Sequence, residues 1–503
     1  MSRRDAADRV TGVAFRAIEG NRSTTAAGTA ILGAAAAAVS PDLARAIGAE
    51  RNWRSGYVEH IHELVAAEVR AGAGPACAVP RAGLEAVSEN LVFVRDGQDR
   101  PLADALVDPA TELHTVEVAG RGERSGLVVA YRGRQLADDA LRHQLETWLQ
   151  AGTVEPSFVQ AVNDVLDHPD WLDLSDLTVA VLGAGAEMGP LAALCNWGAT
   201  VLPVDLPRPG LWEHVLRTVR QGSGRALVPV RGPVPDGASD HDIASIAGAD
   251  LLTDAGAVAH WLRVAPGPLT VGNYVYADGA DFVRVSVAVD LIATHLLQHR
   301  HDISLAVLVT PTDVYAVPSE VVSASRVRHD EAGTGRGLTR ALTGGRLFAP
   351  NYPETVTTPE GVELGIADSL IFQQGPNYAL AKRLQRWRVR QARDEGTVVS
   401  VHVAPATRTR SVTKNRILAA AYGAADRFDV EVFEPDTSNT LMAALLVRDL
   451  RDPKAAANPD IPLHHPLALF SEAAAHGGFW RNPYAPRSVL PLAAVLGLLP
   501  GRR

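Results

Sequence analysis

The chain has 503 residues, with 48 basic against 57 acidic side chains and a formal net charge of −9. Its hydrophobic fraction of 47% and charged fraction of 21% are those of an ordinary globular protein, which excludes a wholly disordered chain, a collagen and a coiled-coil rod. The acidic balance also argues against a protein built mainly to hold nucleic acid, and the length suggests two or three domains.

Two cysteines, Cys77 and Cys195, supply neither a disulfide framework nor a CxxC metal pair. They fit a reducing, cytoplasmic setting. The N-terminal MSRRDAADRV lacks the apolar core of a signal peptide. The longest apolar runs, 31–39 and 488–500, fall short of the roughly 18 residues that cross a bilayer. A soluble protein with no integral membrane segment is therefore expected.

In chain order, residues 1–168 read as a mostly helical region. An alanine-rich helix is expected over 24–39. A second, over 54–70, places Tyr57, Ile61, Leu64 and Val65 at helical spacing. Short strands fit 91–94 and 126–131, and a helical pattern returns over 134–166. His168-Pro169 marks a boundary, because the residue before proline disfavours helix. From there apolar strands alternate with helices, the mark of a parallel sheet. Strands are expected at 177–182, 199–204, 225–230, 269–275, 303–309 and 397–403, and helices at 190–197, 254–262, 285–298 and 377–395. The rhythm breaks over about 318–370, which includes GTGRGLTRALTGGR, and this stretch is read as an insertion or lid. Residues 453–503 form a C-terminal extension whose Phe479, Trp480 and Tyr484 suit packing on the main body.

One connected unit carries chemistry. The strand LTVAVL runs into Gly183-Ala-Gly185-Ala-Glu-Met188-Gly189, then a helix, a second strand and Asp205, 22 residues after Gly183. Glycine permits the tight turn and the approach of backbone N–H groups to a pyrophosphate. An acid at the second strand end accepts from ribose hydroxyls and repels a 2′-phosphate, which favours NAD over NADP. Further on stands Gln373-Gln-Gly-Pro-Asn-Tyr378-Ala-Leu-Ala-Lys382. Residues four apart share a helix face, so a phenol and an ammonium address one site. A nearby cation stabilises phenolate and brings tyrosine, ordinarily near pKa 10, toward useful acid–base strength. With lysine only at 382, 414 and 454, a chance pair at this spacing is rare.

Over 173–452 the chain resembles the short-chain dehydrogenases/reductases. LTVAVLGAGAEMG and GATVLPVD look like that family's first strand, glycine turn and second strand. YALAK looks like its Tyr-x-x-x-Lys, TVVSVHVAPATRT like the following strand and loop, and FEPDTSNTLMAALLVRDL like its late helix. The resemblance implies a Rossmann domain, a doubly wound parallel sheet in the α/β class, over 169–452. NAD would be held by Gly183, Gly185, Met188, Gly189, Asp205, Asn273, Lys382 and Pro405. Tyr378 would be the general acid/base, while Lys382 would hold the nicotinamide ribose and lower the tyrosine's pKa. Glu187 stands where the family has its middle glycine, and Thr310-Pro311-Thr312 where it has a serine; Thr310 or Thr312 would polarise a substrate carbonyl. The family's dimers and tetramers make a homo-oligomer an expectation.

The function implied is NAD(H)-dependent oxidation or reduction of an alcohol or carbonyl on a small, hydrophobic substrate. Its rivals are a Rossmann protein that holds NAD without turnover and an S-adenosylmethionine-dependent methyltransferase. No metal site is expected, since His464, His465 and His476 lack a cysteine or second acid to complete a ligand set. The arginines of 383–393 are read as a solvated or oligomer-facing side.

Overall fold

The computed structural model describes residues 10–107, 109, 111–235, 237–331, 340 and 342–498. At its centre lies a seven-stranded sheet made of β1 (His114–Ala119), β2 (Thr178–Leu182), β3 (Thr200–Val204), β4 (Arg225–Val230), β5 (Leu269–Asn273), β6 (Ile303–Val309) and β7 (Val399–Val403). The helices that bear on the site are α1 (Leu191–Asn196), α2 (Ala280–His299), α3 (Pro376–Asp394), α4 (Arg410–Lys414), α5 (Arg416–Gly423), α6 (Pro435–Arg451) and α7 (Pro486–Leu498).

The strand order is β7-β6-β5-β2-β3-β4-β1, and only β1 runs antiparallel to its neighbour. The chain lays down β2, β3 and β4 outward, then crosses to the far side of β2 for β5, β6 and β7. The direction of winding therefore reverses between β2 and β5. The architecture is α/β with a mostly parallel central sheet, compatible with a Rossmann-like arrangement.

Composition explains the sheet. TVAVL, TVLPV and VSVHV are buried at every residue, as strands covered on both faces must be. Alternate side chains point to opposite faces. Ala180 and Leu182 accordingly enter one apolar core, Val179 and Val181 the other. The first core also takes Ile31, Leu64 and Val87 from the N-terminal helices, together with residues of α2 and α3. The second takes Phe158, Val162 and α6. Residues before 168 thus cover both faces and add the edge strand β1.

Two stretches differ from expectation. The pattern over 134–166 opens as a strand, Arg134–Leu136, paired with Val129–Tyr131, before two helices. Arg132 and Gly133 both adopt positive φ, the turn geometry that joins a tight hairpin. The stretch 318–370 contains regular structure among its described residues. Val314–Pro318, Glu363–Asp368 and Thr355–Thr357 form a three-stranded antiparallel sheet beside the helix Ser319–Glu331. Residues 332–339 and 341, which hold most of the glycine-rich part, lie outside the described residues.

The arginines of α3 are a correction: Arg383, Arg386, Arg390 and Arg393 are buried, not solvated. Arg383 and Arg386 bond the two oxygens of Asp313, the latter at 2.9 Å. Arg390 pairs with buried Glu68 at 2.5 Å. Arg393 donates to the carbonyls of Ala456, Asn458 and Ile461. The Arg386 guanidinium also lies between the rings of Tyr315 and Phe470, at 4.4 and 4.2 Å. A charge is tolerated inside only when a partner reaches it, and these partners come from remote chain. In the C-terminal extension Trp480 is fully buried, its ring 5.4 Å from Tyr315, and His476 bonds Glu155 at 2.8 Å. Among the described residues no cluster of His, Cys, Asp or Glu is arranged to hold a metal ion. No helix among them is long and apolar enough to cross a membrane.

Removing Asp313's charge strands two buried guanidiniums. Asp313→Asn is expected to cost about 3–5 kcal/mol, read as a lowered melting temperature. An unchanged melt would contradict the pairing.

Candidate functional site

At the carboxyl end of β2 the chain turns through Gly183, whose φ is +87° and where a Cβ would lie 2.9 Å from the Tyr274 backbone. Only glycine tolerates both conditions. The Gly185 N–H donates to Asp205 Oδ2 at 2.8 Å, and the Leu206 N–H to Oδ1 at 2.7 Å. Asp205 thus ties the turn to the end of β3. Burial raises its carboxyl pKa, while those N–H groups and Arg208 oppose the rise.

Most donors of the turn are committed. Gly183 and Ala184 donate to Val204, Ala186 to Gly183, and Gly189 to Ala186. Among the described residues the N–H groups of Glu187 and Met188 find no acceptor. The Glu187 carboxylate accepts from the Arg410 N–H at 2.7 Å and faces Arg410 Nε at 3.1 Å. Its carbonyl accepts from Asn439 Nδ2 at 3.4 Å. The helix behind the turn, α1, has six residues and starts only at Leu191.

α3 begins at Pro376, directly after Gly375 with φ +82°. Gln374 pins this start to the turn after β6, because its Nε2 donates to the Thr312 carbonyl at 2.9 Å and to Thr312 Oγ1 at 2.8 Å. The hydroxyls of Thr310 and Thr312 are hydrogen-bonded at 2.8 Å, and the Thr310 side chain lies close enough to the Tyr378 phenol to act on its acidity. Lys382 Nζ donates to the Leu308 carbonyl at 3.2 Å and to Gln385 Oε1 at 3.0 Å, and it lies 5.6 Å from the Phe282 ring.

The two halves connect along the segment after β5. Tyr274 meets Gly183, and the Tyr276 ring lies 5.2 Å from Phe282, which is 5.4 Å from Tyr378. Asn273 closes β5, its Oδ1 accepting from the Val275 N–H at 3.4 Å. Pro405 follows β7, and its carbonyl accepts from the Thr407 hydroxyl at 2.9 Å. Gly183, Gly185, Met188, Gly189, Asp205, Asn273, Thr310, Thr312, Pro405, Tyr378 and Lys382 therefore share the carboxyl edge of the sheet or the helix beside it.

The electrostatics depart from the simplest expectation. Burial pushes the Tyr378 phenol up to about 12; the Thr310 side chain opposes this and the Asp313 charge adds to it. Burial brings Lys382 down to about 8, with Asp313 opposing. Lys382 is not among the groups that act on the phenol; the charge acting on both Tyr378 and Lys382 is Asp313. Sequence reasoning missed Asp313, Gln374, Phe282 and the Glu187–Arg410 pair. Gln374 and Asp313 flank quoted motifs, so position was a signal, but their partners are fixed only by folding. No protein-family model, curated protein or solved structure matches the chain.

Unfolding returns Lys382 to about 10.4, so between about pH 8 and 10.4 the unfolded chain binds more protons there and stability rises with pH. Relative to Lys382→Met, the wild-type melting temperature is expected to climb across that interval. Parallel curves would place the ammonium in solvent.

Proposed function

We propose that this chain is an NAD(H)-dependent oxidoreductase acting on the carbonyl or alcohol group of a small hydrophobic compound. The observation that carries the reading is the placement of the Tyr378 phenol beside the Thr310 side chain, which acts on its acidity, at the sheet edge that also bears the glycine turn. In open parallel sheets, ligands bind outside the carboxyl strand ends where the winding reverses.

The residues fit such a cofactor. The unspent N–H groups of Glu187 and Met188 suit a pyrophosphate. Each Asp205 oxygen accepts one backbone bond and retains lone-pair capacity for ribose hydroxyls, while its charge disfavours a 2′-phosphate. When bound, NAD supplies the hydride exchange at its nicotinamide ring. The protein supplies the proton. With its pKa raised to about 12, Tyr378 is a phenol at neutral pH and donates to the oxygen of a carbonyl being reduced. The hydroxyl of Thr310, steadied by Thr312, stabilises the negative charge that develops there. Lys382, cationic below about 8, orients the nicotinamide ribose.

A second reading, NAD bound without turnover, draws on the raised phenol pKa and on the engagement of Lys382 by Leu308 and Gln385. The methyltransferase reading has weaker support, because the strand order is compatible with a Rossmann-like arrangement and among the described residues no antiparallel strand separates β6 from β7.

Tyr378→Phe is expected to leave NADH affinity within about twofold while lowering turnover on a panel of ketones and secondary alcohols by about 100-fold or more. Unchanged turnover removes Tyr378 from the reaction. The reduction rate should also fall as pH rises through about 8, where Lys382 loses its proton. Lys382→Met should lack that limb, and a persisting limb would assign it to another group.

A further inference from the structure

The glycine turn carries a carboxylate where a phosphate-binding turn gains nothing from one. Glu187 lies beside the two unspent N–H groups, its own and that of Met188. Like charges a few ångströms apart repel, so a pyrophosphate brought there meets a cost. Glu187 is also committed to a cation from another part of the chain. Its carboxylate accepts from the Arg410 backbone N–H at 2.7 Å and faces Arg410 Nε at 3.1 Å. Arg410 opens α4, in the segment between β7 and α5. Further cations follow at Lys414 and Arg416, and Arg408 lies 3.6 Å from Glu434. The same contact therefore closes this basic segment onto the turn.

We infer that Glu187 and Arg410 form a charge latch that stands in for the pyrophosphate of the cofactor, and that binding transfers the Arg410 guanidinium from the Glu187 carboxylate to the phosphates. The inference rests on the dinucleotide reading above. It makes Glu187 a built-in competitor that weakens binding, and Arg410 the donor that restores part of it. A guanidinium is suited to both partners, since its planar fork matches carboxylate and phosphate alike. Asp205 stays with the ribose, so discrimination by the latch depends on phosphate charge and not on the nucleoside.

The test uses the full chain and two probes: NADH, followed by its fluorescence, and adenosine, followed by calorimetry. Glu187→Gln keeps an oxygen that accepts from the Arg410 N–H, so α4 stays anchored while the charge is lost. It is expected to bind NADH about tenfold more tightly and adenosine with unchanged affinity. The Arg410 side chain is 86% exposed, so Arg410→Met leaves the fold intact; it is expected to bind NADH about five- to tenfold more weakly and with a shallower dependence on salt. NADH binding by the wild type that both variants leave within about twofold overturns the latch alone, as does an equal tightening toward adenosine. Failure of the wild type to bind NADH overturns the cofactor reading and the latch with it.

Discussion

The buried carboxylate of Asp313 holds the candidate site together. It follows β6 by a few residues and takes two guanidiniums from α3, Arg383 and Arg386. This ion triad fixes the helix against the strand end, so that Tyr378 comes to the hydroxyl of Thr310. The same charge reaches Tyr378 and Lys382 electrostatically. Two cations against one anion would be unfavourable inside without further help. That help comes from the aromatic faces of Tyr315 and Phe470 around Arg386, since a ring face attracts a desolvated cation.

The helix that carries the phenol is therefore an interior element along most of its length. Arg390 meets Glu68 from the N-terminal region, and Arg393 meets carbonyls of the C-terminal extension. The flanking regions of the chain are thus built into the support of the site. Gly83 in the N-terminal region expresses the same closeness, because a Cβ there would lie 2.4 Å from the Trp387 ring of α3.

Much of this was legible from residues alone, for a physical reason. A strand covered on both faces must be largely apolar, so β6 matches the expected 303–309. The glycine turn and Asp205 were visible because backbone geometry and strand-end chemistry demand particular residue types. Strand β1 was not, since most of its side chains are exposed and its pairing with β4 depends on the fold. The arginines of α3 misled for a related reason. A run of cations reads as a solvated face until Asp313 and Glu68, some 70 and 320 residues away, are brought beside it. The acid strength of Tyr378 was equally hidden, because it is set by burial and not by the lysine four residues on.

The central claim is that the glycine turn and the phenol of Tyr378 address one bound coenzyme. A crystal structure of the chain with NAD tests it most directly. The account expects the adenosine ribose at Asp205 and the nicotinamide ring beside Tyr378 and Thr310. A coenzyme whose nicotinamide lies against another wall, with Tyr378 still enclosed by Phe282 and out of its reach, would contradict it.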